Sequence, residues 1–457
     1  MRGEAGRFPL DALTVYTTGR SLVRHLAARL GRAPRLVTGR DTRESGPWIE
    51  QALLAGARQE GAQCESAGVI TTPGIAYLTS ALPADAGVVI SASHNPYRDN
   101  GIKIFAPTGQ KIDDATERCI EADIESAKDA LTASAPLLTE DGSVEMEETA
   151  ALRARYLDHL ADEAAAGLEL AGVKVVVDCA NGAASGLAPE LFARLGAHVI
   201  AINHEPDGRN INLNCGSLHL DALKRQVMER GADLGVAFDG DADRVLFIDA
   251  QGRVVDGDAT LWVMAKHLAA RGELNADTVV ATVMSNIGLE LALRSRGWKL
   301  LRTDVGDKYV LEALLRTGAT LGGEQSGHII FTRHSLAGDG MLTAICVLRA
   351  MRAAGVPLAD LVEGFTRYPQ TLVNVRVDEK RPFAEVPEIV RAARETEAAL
   401  GEQGRLLLRY SGTEPLARVM IEGTDQDEIE RLANRLAATI QASLGAGLSG
   451  EGENSTR

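Results

Sequence analysis

The sequence predicts an α/β protein: three successive similar α/β domains with mixed sheets and a C-terminal α+β domain, arranged around a central cleft. Three observations carry that expectation. From about residue 12 to residue 367, helical patterns alternate with short Val/Ile/Leu runs, the signature of parallel α/β units. At 457 residues the chain is too long for a single hydrophobic core. Around residues 366–380 the pattern changes to that of an α+β domain, opening at Leu372-Val373-Asn374-Val375-Arg376-Val377.

In chain order, apolar runs mark strands at 35–38, 87–90, 173–178, 198–201, 278–282 and 299–301. Helices are expected between them, around 47–60, 116–131, 186–195, 218–230, 258–271 and 339–353. The acidic, Ala-rich stretch 132–163 has few β-branched residues and reads as a loop followed by a connecting helix, so a second domain opens at Val173. The end domain combines a strand at 372–377, a helix, strands at 405–409 and 417–422 and a second helix over 425–444. The resulting divisions are 1–150, 151–254, 255–367 and 368–444, and the Gly/Ser/Glu-rich residues 445–457 read as a disordered tail. The three α/β units show no repeated identities, yet they could share one topology.

Charge and cysteine usage narrow the function. With 48 basic and 63 acidic residues the formal charge is −15, which disfavours nucleic acid as a partner; an anionic substrate needs a local cluster of arginines. Five scattered cysteines without a CxxC or metal-ligand spacing fit a reduced, cytoplasmic setting. Residues 1–10 lack the apolar core of a signal peptide, and no window approaches 18 uninterrupted apolar residues, so no membrane association is expected.

Four polar clusters carry the chemistry. Ser91-Ala92-Ser93-His94-Asn95-Pro96 follows the apolar run 87–90, which places its hydroxyls at a strand's carboxyl end. Pro96 limits the backbone there and Gly101 is expected to permit a bend before Lys103. An ordinary turn is the bland alternative. In Asp239-Gly240-Asp241-Ala242-Asp243-Arg244, three carboxylates alternate between two apolar strands. In an extended loop they would face one way and converge on a hard cation. An EF-hand is excluded, because its sixth and twelfth positions are here Arg244 and Ala250 rather than Gly and Glu. A solvated acidic turn is the alternative.

Gly322-Gly323-Glu324-Gln325-Ser326-Gly327-His328 offers Glu and Ser with room around them, which suits the hydroxyls or amino group of a sugar. His328 taken alone could equally be a satisfied core histidine. Arg409-Tyr410-Ser411-Gly412-Thr413-Glu414-Pro415-Leu416-Ala417-Arg418 brackets a Ser/Gly/Thr loop with arginines, a phosphate cradle or a charged β-hairpin. No helix follows it, so it is not a P-loop.

A nucleophilic or phosphorylated serine, a cation site, a sugar site and a second phosphate site together suit phosphoryl transfer on a phosphosugar. In order and wording, the four motifs resemble the α-D-phosphohexomutase superfamily over nearly the whole chain, from Arg2 to about residue 444. Pro206-Asp207-Gly208-Arg209-Asn210-Ile211-Asn212, Cys215-Gly216-Ser217, Val305-Gly306-Asp307 and the Gln325 of the sugar loop are similar to the bacterial phosphoglucosamine mutases. The phosphomannomutase/phosphoglucomutase branch usually carries Met at that last position.

The resemblance implies that Ser93 is the phosphoserine and that it holds one Mg²⁺ per subunit together with Asp239, Asp241 and Asp243. It assigns His94, Lys103 and Arg244 to catalysis. Glu324, Ser326 and His328 would bind the sugar, and Arg409, Ser411, Gly412, Thr413 and Arg418 the phosphate that is not reacting. The implied reaction interconverts D-glucosamine 6-phosphate and D-glucosamine 1-phosphate, activated by a hexosamine or glucose 1,6-bisphosphate. It would supply UDP-N-acetylglucosamine for cell-wall synthesis. A homodimer is the assembly to test. The other readings are a mutase acting on mannose or glucose phosphates, a metal-assisted phosphatase and a non-catalytic sugar-phosphate-binding protein. Of the strand and Gly-Thr-Asp-Gly-Ile-Arg-Gly loop that open the family pattern, this sequence carries Arg2-Gly3, and Arg2 is expected near the serine.

Overall fold

The computed structural model describes residues 1–128, 146–411 and 414–445. The chain divides into two compact units, one formed by Met1–Thr282 with Leu301–Glu363 and the other by Val283–Leu300 with Gly364–Arg457.

The first unit carries two whole sheets and all of a third except Lys299 and Leu300. Strands β1 (Arg2–Glu4), β2 (Arg35–Arg40), β3 (Gln63–Val69), β4 (Ala86–Ile90) and β5 (Asp99–Phe105) take the order β1-β5-β4-β2-β3. β2 runs parallel to β3 and β4, whereas β5 is antiparallel to both β4 and β1. Strands β6 (Lys174–Asp178), β7 (His198–Ile202), β8 (Leu234–Phe238), β9 (Val245–Asp249) and β10 (Val254–Val255) take the order β10-β9-β8-β6-β7. Strands β11 (Thr278–Thr282), β12 (Lys299–Thr303), β13 (Leu321–Gly323) and β14 (Ile329–Phe331) take the order β12-β11-β13-β14.

One topology is thus used three times: β5-β4-β2-β3, β9-β8-β6-β7 and β14-β13-β11-β12 all read fourth, third, first, second. In each sheet the third and fourth strands are antiparallel neighbours. The connections between them, residues 91–98, 239–244 and 324–328, are equivalent positions. They hold the serine, carboxylate and sugar motifs.

Helices α1 (Ala12–Leu30), α2 (Gly46–Gln59), α3 (Thr72–Ala81) and α4 (Asp114–Lys128) accompany the first sheet. Asp11 caps α1 by accepting the Thr14 N–H at 3.0 Å, and Gly31, at φ 68, ends it in the left-handed conformation. Gly19 and Gly56 let α1 and α2 approach closely: a Cβ at Gly19 would lie 2.1 Å from Leu53 O, and one at Gly56 2.0 Å from Tyr16 O. Helix α5 (Met146–Asp158) runs into a π-helical turn over His159–Ala164; it is the expected connecting helix. Then follow α6 (Ala188–Arg194), α7 (Asp221–Arg230), α8 (Gly257–Ala270), α9 (Ile287–Ser295, in the second unit), α10 (Asp307–Thr317), α11 (Gly340–Ala354) and α12 (Leu358–Leu361). Among the described residues the expected helices all occur, with ends displaced by up to three residues; residues 129–131 of the helix expected to 131, and the loop expected before α5 as far as residue 145, lie outside them. The expected tail lies outside the described residues from 446 onward.

In the second unit, β15 (Gln370–Arg376), β16 (Arg405–Tyr410) and β17 (Leu416–Glu422) form an antiparallel sheet in the order β15-β17-β16. Helices α13 (Pro387–Leu400) and α14 (Gln426–Leu444) accompany it. Val375, Val419 and Ile421 pack with Ile389, Ile429, Leu432 and Leu436 in its core. Glu422, fully buried, accepts hydrogen bonds from Arg405 Nε at 2.8 Å and from the backbone N of Ile287 at 3.1 Å. Among the described residues, no helix is long and apolar enough to cross a membrane.

Candidate active site

β4 delivers the chain into a turn in which Ser93 sits at φ 53, a left-handed conformation that side chains rarely adopt. The Ser91 hydroxyl accepts the Ser93 N–H at 2.9 Å, and Ser93 Oγ donates to Asp239 Oδ2 at 2.5 Å. Gly101 departs from expectation. It makes no bend but lies within β5, where a Cβ would meet Ser91 O at 2.7 Å; the glycine is needed for space rather than for flexibility. β1 pairs with β5 so that Arg2 is opposite Gly101, and its charge reaches His94. Burial, then the charges of Arg244 and Arg2, hold His94 below the ordinary histidine range. His94 Nδ1 stands 3.4 Å from Ser93 Oγ and 3.2 Å from Arg244 Nη1.

The three carboxylates converge, but not through an extended loop. Ala242 lies at φ 55 and its N–H closes a turn on Asp239 O at 3.1 Å, so a tight turn, not alternation, aims them together. One oxygen from each of Asp239, Asp241 and Asp243 falls within 4.8 Å of the others, and all three residues are buried. Asp241 Oδ2 accepts from Thr72 Oγ1 at 2.5 Å and from Lys103 Nζ at 2.6 Å, and Asp243 Oδ2 accepts from Lys103 at 3.1 Å. The Oδ1 atoms of Asp241 and Asp243 are buried without a hydrogen-bond partner. Oxygen donors that converge with lone pairs unspent suit a hard divalent cation.

Burial and the neighbouring Asp243 and Asp241 push the Asp239 carboxyl well above the usual range. Burial acts the same way on Asp243, but Lys103 and His328 outweigh it and hold that carboxyl well below. For Lys103, burial is outweighed by Asp241 and Asp243, so the amine is held charged.

In the sugar loop, Glu324 is half-buried and accepts the Gly306 N–H at 3.2 Å, while Ser326 is exposed with its hydroxyl 3.4 Å from Glu324 Oε2. His328 is placed differently from the other two. Gly327, at φ 93, turns the chain, and the buried His328 puts Nδ1 3.7 Å from Asp243 Oδ1, against the carboxylate loop. A cavity of about 560 Å³ borders Lys103, Asp243 and His328, with Phe105, Ile112 and Leu311 among its other walls.

In the second unit, Arg409 on β16 stands directly opposite Arg418 on β17. Like charges in that register repel unless an anion joins them. Ser411 is buried, with Oγ 3.4 Å from Arg418 Nη2, and Lys380 Nζ donates to Ser411 O at 2.6 Å. Gly412 and Thr413 lie outside the described residues. Sequence reasoning missed Thr72, Lys380 and the Asp41-Thr42-Arg43 turn. Only the last carries a usable signal, a polar run at the carboxyl end of β2.

The comparisons with known proteins agree along the chain. Models of phosphoglucomutase/phosphomannomutase alpha/beta/alpha domains I, II and III match residues 1–131, 154–252 and 256–368, and that of the C-terminal domain matches residues 372–439. The chain belongs to the phosphoglucomutase/phosphomannomutase family. It is similar to a phosphoglucosamine mutase of Solibacter usitatus, with 49% identity covering 97% of this chain and 98% of that one. A second, from Rhodococcus jostii, is 50% identical over 88% of this chain and 89% of that one. Among solved structures, a phosphoglucomutase/phosphomannomutase family protein of Burkholderia thailandensis superposes with a TM-score of 0.77 at 25% identity, covering 97% and 96% of the two chains. This phosphohexomutase is therefore an enzyme, with an acidic triad able to hold a metal ion.

Proposed function

We propose that the protein is a phosphoglucosamine mutase of the cytoplasm, interconverting D-glucosamine 6-phosphate and D-glucosamine 1-phosphate. The observation that carries this reading is the 2.5 Å hydrogen bond from Ser93 Oγ into a buried carboxylate triad. A phosphate on that oxygen would face three carboxylates, an arrangement that needs positive charge between them. A Mg²⁺ held by Asp239, Asp241, Asp243 and the Ser93 phosphate would neutralise the phosphoryl group in transit. The names of the relatives and the Gln325 of the sugar loop support glucosamine as the sugar.

Ser93, carried as phosphoserine, gives its phosphoryl group to the 1-hydroxyl of glucosamine 6-phosphate. The serine oxygen gains the proton that the sugar oxygen loses, and a 1,6-bisphosphate forms. That intermediate turns round, and Ser93 takes back the 6-phosphoryl group with the reverse proton movement. Lys103 and Arg244 supply fixed positive charge, and His94 orients the serine. Glu324 and Ser326 grip the sugar, while His328 reaches it from beside Asp243. Arg409, Ser411, Gly412, Thr413 and Arg418 hold the idle phosphate. The domain divisions at 150, 254, 367 and 444 belong to this reading, as does a homodimer, which sedimentation would test.

The test is a coupled assay with Mg²⁺ and a catalytic amount of glucose 1,6-bisphosphate, comparing glucosamine, glucose and mannose phosphates. Glucosamine phosphate is expected to be turned over fastest; equal rates on all three overturn the sugar assignment. Release of inorganic phosphate instead of isomer would mark a phosphatase. Intact mass should show an adduct of about 80 Da that Ser93→Ala lacks.

A further inference from the structure

We propose that Arg43 and Asn212 clamp the backbone of the serine loop and so act as positioning residues that aim the Ser93 hydroxyl in both phosphoryl transfers. The inference rests on the reading of Ser93 as the phosphorylated residue.

The two side chains share the same two acceptors. Arg43 Nη2 donates to Ser93 O at 3.2 Å and to Asn95 O at 2.6 Å, and Asn212 Nδ2 donates to the same carbonyls at 2.9 and 3.1 Å. Ser93, at φ 53, holds a backbone shape that a serine does not keep unaided. The shape persists where surrounding groups over-determine it, and two donors on each of two carbonyls do so.

The chemistry of Arg43 points the same way. It is 1% exposed, and its charge is balanced by an equally buried Asp41, which accepts both its guanidinium and its backbone N–H. Burying such a pair is costly, and an apolar chain would fill the space more cheaply. What a guanidinium adds is a rigid fork of donors, here spent on the serine loop.

The clamp also spans two of the repeated sheets. Arg43 follows β2 of the first, and Asn212 lies between β7 and β8 of the second. Gly240 of the carboxylate loop closes on the same point: a Cβ there would lie 2.5 Å from Ser93 O and 2.8 Å from Asn212 Nδ2. Beside it, Thr42 Oγ1 donates to Asn181 O at 2.6 Å and Arg209 pairs with Glu44 at 2.6 Å. The serine's carbonyl is therefore fixed against the same loop whose Asp239 receives its hydroxyl. Ser93 must give a phosphoryl group and accept one back from the opposite end of the sugar in one unchanged direction. Losing that direction slows both transfers and leaves the sugar grip at Glu324 and Ser326 intact.

Asn212 itself sits at φ 59, so glycine, not alanine, removes the donor without straining the backbone. Asn212→Gly is expected to lower kcat by about 10- to 100-fold, the scale of a small misplacement of reacting groups. KM for glucosamine 6-phosphate should stay within about twofold, and the ³¹P resonance of the phosphoserine should shift or broaden. Arg43→Lys keeps the charge with a single point donor and should recover part of the kcat lost in Arg43→Met. An Asn212→Gly protein that carries the phosphate adduct and keeps wild-type kcat and an unmoved ³¹P resonance overturns the clamp alone. An active wild-type protein without the adduct overturns the phosphoserine reading, and the clamp's catalytic role with it.

Discussion

Asp241 shows how the site is held residue by residue. One of its oxygens is occupied by Thr72 and Lys103, and the other is buried without a hydrogen-bond partner. Thr72 thus holds, from outside the triad, a carboxylate that the proposed function gives to Mg²⁺, and such outer groups commonly contribute 10- to 100-fold to metal affinity. Thr72→Val should weaken Mg²⁺ binding by about that factor, measured by calorimetric titration, with the fold retained because valine matches threonine in shape. An unchanged affinity would count against the orientation. The triad and Ser93 were legible in the sequence because their chemistry is concentrated in short runs. Thr72 was not: it reads as a helix start before Pro73, and its partner lies 169 positions away. His328 could be singled out from its motif, but its place against Asp243 depends on the turn at Gly327, which no spacing rule reveals.

At the scale of elements, the same connection between third and fourth strands carries three different polar runs, at Ser93, at Asp239–Asp243 and at Glu324–His328. The sequence suggested a shared topology without identities to prove it, because the repetition lies in strand order rather than in residue type. Strand β3 was illegible for a related reason. Gln-Cys-Glu-Ser-Ala-Gly-Val has neither an apolar run nor alternation, and it forms because β2 offers a parallel edge. The crossing of α1 and α2 gives a test with a definite sign. On an exposed helix Gly→Ala stabilises by about 1 kcal/mol. At Gly56 the added Cβ meets the Tyr16 carbonyl, so Gly56→Ala should destabilise by about 1–3 kcal/mol, the usual range for overpacking. Denaturant melts would read it, and a gain in stability would show that the helices part freely.

Across the whole molecule there is an excess of 15 negative charges, while the site sets Lys103 against Asp241 and Asp243 and Arg244 beside Asp243. A cation seated there ties folding to ligand. At 100 times its dissociation constant, Mg²⁺ should add about 2.7 kcal/mol to stability if the unfolded chain does not bind it. Melting in Mg²⁺ should therefore exceed melting in chelator by a few degrees, and Asp241→Ala should abolish the difference. The four-part class of fold was legible from alternation and length, whereas the making of the second unit from two separate stretches of chain was not, since no local pattern marks it. That arrangement has a consequence for synthesis. The first N–H of α9 donates to the carboxylate of Glu422, 135 positions later. At ribosomal rates of 5–20 residues per second this helix waits roughly 7 to 27 seconds for its carboxylate. Over that interval Leu289 and Leu293, fully buried in the finished fold, are what a chaperone would meet on the nascent chain.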